Sequence, residues 1–182
     1  PLVLVYMRII DRAVLGTSVG THAAVIVLGL VLAVVAGFLF SAVAGYMAGL
    51  VGSSNNPISG VTIATLLASS FLLLAVGMVA PGGPVAAILI GAVVCCAAAI
   101  GGDNLQDLKA GHILGSSPWK MQIMQVVGVV AAALVIAPVL TLLLKAYGIG
   151  SVGGVEGQTS LEAPQASLMA SVAEGVFGKG LP

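Results

Sequence analysis

Residues 21–51 have the sequence THAAVIVLGLVLAVVAGFLFSAVAGYMAGLV, and this stretch decides the fold class. It contains no Asp, Glu, Lys or Arg. A helix needs about 20 apolar residues to cross a hydrocarbon layer of about 30 Å. The stretch is therefore long enough for one membrane crossing, and its excess length requires a tilt, a kink or a projection beyond the bilayer.

The composition of the whole chain indicates the same class. Hydrophobic residues make up 59% and charged residues 7% of the sequence, and the mean hydropathy is +1.20. A soluble domain carries about a quarter charged residues and cannot bury this much apolar surface. No Asp, Glu, Lys or Arg lies between Arg12 and Asp103, or between Lys120 and Lys145. We predict an all-α, polytopic transmembrane helical bundle in the cell membrane, with the lipid bilayer as its surroundings.

Four stretches are long enough to span the bilayer, and we predict spans at 21–51, 58–79, 84–100 and 119–147. Trp119 and Tyr147 flank the fourth stretch, where aromatic side chains anchor a helix at the membrane interface. A loop is expected over 148–163, and a short amphipathic helix over 164–177 with Pro164 at its first position. We predict one transmembrane domain over 1–182, as an internal piece of a longer protein.

The orientation of these spans stays open. Arg8 and Arg12 precede the first span, whereas Lys109 and Lys120 follow the third. Three complete crossings place the two basic clusters on opposite sides, although basic residues favour the cytoplasmic side. Either one segment is re-entrant or broken, or regions outside this chain dominate the topology. We favour a break near 55–57.

Small residues recur at every fourth position of the first span, at Gly29, Ala33, Gly37, Ser41, Gly45 and Gly49. This spacing produces a helix face that another helix can approach closely. We interpret it as a packing surface inside a bundle rather than a dedicated dimerisation motif, because glycine is abundant along the whole chain. A homo-oligomer stays open as a further partner.

The remaining composition indicates few other partners. The net charge of zero gives no reason to expect nucleic acid. Cys95 and Cys96 are adjacent in an apolar run, where a disulfide would be strained and where no His or carboxylate completes a metal site. We interpret them as small residues of a membrane helix, and we predict neither a metal site nor a cofactor.

The first candidate for a chemical role is the polar interruption formed by Asn55, Asn56, Pro57, Ser59 and Gly60. Proline lacks an amide donor and disfavours helix at the preceding residue. Interrupted backbone at membrane depth is tolerated only where protein buries it or water reaches it, and transporters build substrate sites from such interruptions. We predict that these residues line a substrate pathway. The alternative is a surface turn whose hydroxyl groups bond back to their own helix.

The second candidate consists of Asp103, Gln106, Asp107 and Lys109, inside a polar hinge expected over 101–118. If the helix continues, the two carboxylates and Gln106 share one face, while Lys109 points elsewhere. Two carboxylates in a cavity of low dielectric cannot both ionise at low cost, so one would hold a proton. We predict a proton-coupling role. The alternative is a solvated loop at the membrane interface.

Two patterns in these segments resemble the oligopeptide transporter superfamily. They are Gly52-Ser-Ser-Asn-Asn-Pro-Ile-Ser-Gly60, and Asp103-x-x-Gln106-Asp107-Leu108-Lys109-x-Gly111 followed by Ser116, Ser117 and Pro118. The second is similar to the D-x-x-Q-D-(apolar)-K-x-G stretch of the yellow-stripe-like branch and of the bacterial members. Residues 161–169 also resemble the bacterial members. Asn104 and Ala110 differ from the yellow-stripe-like pattern, so the branch stays open.

The resemblance implies a longer carrier, not an enzyme, that is driven by the proton gradient. Its substrates would be small peptides, or metal ions wrapped in small organic chelators. Two alternatives remain on the residues alone. One is a membrane subunit that transports nothing. The other is an intramembrane aspartyl protease, which Gly101-Gly102-Asp103 suggests but which needs a second Asp that no other apolar run contains.

Overall fold

A computed structural model describes residues 19–77, 82–150 and 160–179 of this chain. These ranges form five α-helices: α1 (Val19–Val51), α2 (Ile58–Ala75), α3 (Gly82–Ile113), α4 (Pro118–Ala146) and α5 (Pro164–Glu174). A 3-10 turn, Ser53–Asn55, connects α1 to α2, and a π-helical turn, Gly175–Lys179, follows α5. The predicted all-α class is confirmed.

The helices α1 to α4 are each long and apolar enough to cross a membrane. The shortest is α2, with 18 residues, and at a rise of about 1.5 Å per residue it extends for about 27 Å. This length is close to the hydrocarbon thickness of about 30 Å. The helices α1 and α3 have 33 and 32 residues and exceed what an upright crossing needs.

Several expectations concern residues outside the described ranges. Arg8 and Arg12 belong to this group, as do positions 78–79 at the end of the second expected span. The middle of the expected loop, 151–159, lies outside them as well.

The polar stretch 101–118 is mostly helical, whereas the sequence led us to expect the third helix to end near residue 100. Helix α3 continues to Ile113, and the turn before α4 is confined to 114–117, where Gly115 has φ 75. The residues after Asn104 are Leu, Gln, Asp, Leu, Lys and Ala, most of which favour helix, and no proline occurs between Asn104 and Pro118. Local helix propensity therefore carries α3 past the end of its apolar run.

Helices α1 and α2 and the part of α3 up to Gln106 belong to one compact unit, which also includes the chain from Met169 onward. Early in α2, Val61 lies in a buried cluster with Ala44 of α1 and Ala98 of α3. Later in α2, Leu73 belongs to a cluster against which Ile26 of α1 packs. Later residues of α2 thus meet earlier residues of α1, which means that the two helices are antiparallel.

Helices α1 and α3 run parallel and approach each other through small residues. A methyl group at Gly37 would lie 3.7 Å from Cβ of Ala97. Four residues further along both helices, Gly101 contacts Ser41, and the next step brings Leu105 against Gly45. The regular spacing of small residues in α1 therefore provides the seam with α3.

The chain after Met169 packs back onto the ends of α2 and α3. Ala173 and Phe177 are buried in the same cluster as Leu73. The Phe177 ring covers Gly83 so closely that any side chain at that glycine would overlap the ring. The end of α5 and the π-helical turn are thus part of the core of this unit.

The second compact unit comprises Asp107–Leu168. Helix α4 passes through Pro138 without ending, and none of its residues is buried. At the α3–α4 turn Gly111 contacts Met121. After α4, the Gly150 N–H donates a hydrogen bond to the Leu161 carbonyl at 2.9 Å. The exposed apolar surface of α4 requires lipid or other helices around it.

Candidate functional site

The polar interruption reverses the chain between α1 and α2. Gly52 has φ 82, in the left-handed region that glycine adopts without a Cβ penalty. The Asn56 N–H donates to the Ser53 carbonyl at 3.2 Å and closes the 3-10 turn. The Ile58 N–H then donates to the Asn56 carbonyl at 2.8 Å, and Pro57 between them has φ −76 and ψ 52, the geometry of an inverse γ-turn. Two tight turns in succession therefore direct the chain into α2.

The Asn56 side chain lies between this reversal and the two parallel helices. Its Nδ2 atom donates to the Ala44 carbonyl of α1 at 3.3 Å. A methyl group at Gly102 of α3 would lie 2.5 Å from the same nitrogen, so only glycine leaves room for the amide. The Oδ1 atom is buried and has no hydrogen-bond partner within the described part of the chain. Buried amide oxygens normally accept a hydrogen bond, so within the described ranges this atom lacks an expected partner.

The other residues predicted for the substrate pathway lie on the outside of the reversal. Asn55, Pro57, Ser59 and Gly60 are all exposed. Asn55 Nδ2 donates to the Val51 carbonyl at 3.3 Å, which satisfies a carbonyl at the end of α1. Asn56 is therefore the member of the predicted set that the fold encloses.

The hydroxyl groups that follow on α2 mostly serve the helix itself. Thr62 Oγ1 donates to the Ile58 carbonyl and Thr65 Oγ1 to the Val61 carbonyl, both at 2.8 Å. Ser69 Oγ donates to the Leu66 carbonyl at 3.0 Å. These bonds are the ones expected of a membrane helix that satisfies its own hydroxyl groups.

The acidic candidates share one continuous helix. Asp103, Gln106, Asp107 and Lys109 are all exposed on α3. Because α3 does not break, Asp103 and Asp107 lie one turn apart on one face, and Lys109 lies on another. Gly102 is buried and Asp103 is exposed, so the carboxylate points away from the Asn56 amide. The reversal between α1 and α2 and the carboxylate of Asp103 nevertheless lie at the same end of the first compact unit.

Sequence reasoning missed Gly102 as the residue that accommodates Asn56. In the sequence, the Gly101-Gly102 pair stands out only beside Asp103, where the triplet at an expected helix end suggests an aspartyl protease. The structure corrects that placement, since α3 continues well past Asp103. The available signal was a second glycine directly after the apolar run. Its pairing with Asn56 depends on the register between α1 and α3.

Long apolar helices in antiparallel and parallel contact around a polar reversal define a segment of a multi-pass helical membrane protein. The sequence of residues 5–182 matches the family described as OPT oligopeptide transporter protein. The chain belongs to this family. Its members are transporters and not enzymes, which confirms the predicted resemblance and excludes the protease alternative.

Two relatives show how much of a whole transporter the chain represents. A candidate oligopeptide transporter of Haemophilus influenzae is 39% identical, over 80% of this chain and 25% of its own length. A candidate oligopeptide transporter of Saccharomyces cerevisiae is 29% identical, over 70% of this chain and 16% of its own length. The chain thus spans 25% or less of the length of these relatives. No solved structure matches it.

Proposed function

We propose that the chain is part of a secondary carrier that moves small peptides, or metal ions bound to small chelators, across the plasma membrane together with protons. Membership of the oligopeptide transporter family supports a peptide substrate. The observation that carries the proposal for this segment is the buried Oδ1 of Asn56 at a backbone reversal, which has no hydrogen-bond partner among the residues that the structure describes. Transporters use such interruptions for binding, because the polar groups there need partners.

The two candidate groups have separate roles in this proposal. Asn56 and its exposed neighbours Asn55, Pro57, Ser59 and Gly60 contribute to the substrate pathway. Asp103, Gln106, Asp107 and Lys109 form the proton-coupling group of this proposal. Carboxylates that follow an apolar helix are costly to expose to lipid, so their face requires water or other polar groups. Asp103 directly follows the glycine that accommodates Asn56, and a change of charge there acts next to the α1–α3 seam.

The proton role predicts the effect of Asp107→Asn in the full-length protein. This substitution removes a charge and a proton site while keeping the side-chain shape. We expect membrane insertion to be normal and uptake of radiolabelled tripeptides into vesicles to be lost or to become independent of the pH gradient. Glu162→Gln, which removes an exposed carboxylate outside the four long helices, is the matched control and should transport normally.

The outcomes separate the proposal from its competitors. Uptake with an unchanged dependence on the pH gradient in Asp107→Asn would remove the acidic pair from the mechanism. Absence of flux for every peptide and metal chelate in the unmodified protein would instead favour a membrane subunit that transports nothing.

The pathway role predicts that Ser59 faces water and substrate. In a background with Cys95→Ala and Cys96→Ala, we expect Ser59→Cys to react with a water-soluble thiol reagent and to be protected by transported peptide. Ser116→Cys, at an exposed serine of the α3–α4 turn, should react without protection. Equal protection of both positions, or of neither, in an active transporter would leave the reversal as a plain turn between helices.

A further inference from the structure

An apolar groove with a volume of about 900 Å³ runs along the outside of the α1–α3 seam. Its floor is the contact between Gly37 and Ala97. Its α1 wall includes Val34 and Phe38, whose side chains are 70% and 75% exposed. The opposite wall belongs to α3 and includes Val93. The parallel helices thus form a trough with large apolar side chains along its edge.

The lining of this groove favours a helix over a lipid chain. Half of the lining residues are Gly, Ala, Ser or Cys, which let a helix backbone approach closely. Ser41 and Asn104 lie at one end and carry polar groups that an acyl chain cannot hydrogen-bond. Leaving an amide without a partner next to lipid is unfavourable. A helix in the groove with a hydrogen-bonding side chain next to Asn104 would give the Asn104 amide a partner.

The dimensions also suit a helix. Along α1 the groove extends from Gly29 to Ala42, a distance of about 20 Å at about 1.5 Å per residue. A helix of about 20 residues crosses the hydrocarbon layer of about 30 Å. The groove would therefore cover most of the length of such a helix within the membrane. The seam beneath is narrow because glycine and alanine meet there, and a third helix can rest on both neighbours at once.

We propose that a transmembrane helix of the same polypeptide, located outside residues 1–182, occupies this groove and places a hydrogen-bonding side chain beside Asn104. The relative of Haemophilus influenzae has 75% of its length outside the matched region, since the match covers 25% of it. That length provides the covering helix within one chain. A second copy of the protein is therefore not required to cover the groove. The inference is independent of which substrate is transported.

A photo-crosslinking amino acid at Phe38 tests the proposal in the full-length protein in its native membrane. Phe38 is exposed and aromatic, so a benzophenone side chain replaces it with little change of character. We expect an intramolecular crosslink to an apolar stretch outside residues 1–182 that contains a Ser, Thr, Asn, Gln or His, identified by mass spectrometry. A lipid adduct, a crosslinked dimer or a crosslink within 1–182 would each overturn the proposal.

Filling the groove provides a second measurement at one site. Ala92 is exposed and lines the groove, so Ala92→Phe occupies the space while Ala92→Ser leaves it open. We expect Ala92→Phe to reduce the Phe38 crosslink at least tenfold in the membrane-inserted protein, and Ala92→Ser to retain it. A crosslink that persists unchanged in Ala92→Phe would mean that the captured helix does not lie in the groove. If Ala92→Phe does not accumulate, the identity of the Phe38 crosslink alone decides.

Discussion

Asn56 connects three parts of the molecule through one amide group. Its Nδ2 donates to Ala44, and Gly102 provides the space that the amide occupies. A hydrogen bond of this kind contributes about 1 kcal/mol, and a buried acceptor without a partner costs about 1–3 kcal/mol. The two effects cancel or leave a net cost, so stability does not explain why an asparagine is present here. This balance is what the binding role proposed above would account for.

The tight fit at Gly102 predicts that even alanine is destabilising there. The added methyl group would meet the Asn56 amide at 2.5 Å. Forcing the side chain or the helices apart should lower the stability of the folded protein by about 1–3 kcal/mol. The measurement is the thermal unfolding midpoint of the purified full-length protein in detergent.

Gly128→Ala is the matched control, because no atom of the described ranges lies within 4 Å of a methyl group at that position of α4. Alanine favours helix over glycine by about 1 kcal/mol, so this variant should be neutral or slightly stabilising. Equal midpoints for the two variants would show that the Asn56 amide moves aside freely.

At the scale of elements, the end of α5 shows how a short helix becomes part of the core. The helix has 11 residues, too few to be stable by local interactions alone. Its order comes from Ala173 and Phe177, which are 0% and 7% exposed in the cluster with Leu73. Gly83 at the start of α3 is the complementary surface for the aromatic ring.

Phe177→Ala should therefore release this element. Removing a buried phenylalanine side chain costs about 3–5 kcal/mol of packing. We expect faster hydrogen exchange in peptides that cover 164–179, measured by mass spectrometry on the full-length protein.

The control for this variant is Leu168→Ala, because Leu168 lies on the same helix and is 47% exposed. Substitutions at exposed positions usually change stability by about 0.5 kcal/mol or less, so its exchange should match that of the unmodified protein. Unchanged protection in Phe177→Ala would mean that contacts other than the aromatic ring hold α5.

For the whole molecule, the alternation of α1, α2 and α3 determines which ends share a side of the membrane. The reversal at Gly52–Pro57 lies on the same side as Asp103 in the later part of α3. The end of α2 at Ala75 lies on the other side. If all three helices cross completely, the two candidate groups face one compartment.

This arrangement predicts the labelling pattern of single cysteines in sealed vesicles. In the background without Cys95 and Cys96, an impermeant maleimide should label Ser54→Cys and Gln106→Cys from one side and Ala75→Cys from the other. All three positions are exposed. Labelling of Ala75→Cys and Ser54→Cys from the same side would show that α2 enters the membrane and returns, as one of the alternatives from the sequence requires.

The sequence by itself determined the all-α membrane class and the family. Both follow from local properties: mean hydropathy, the spacing of charges, and short patterns such as the one from Asp103 to Gly111. A helix in lipid must satisfy its own backbone, so a long apolar run specifies a helix without reference to the rest of the chain.

Only the tertiary structure decided which candidate residue is enclosed and what surrounds it. Asn55 and Asn56 are adjacent and chemically equal, yet Asn55 is exposed and Asn56 lies against Gly102. The packing of Phe177 on Gly83 likewise joins residues far apart in the chain. The spacing of small residues predicts that α1 has a packing face, but the partner helix, its direction and its register follow only from contacts between residues far apart in the chain.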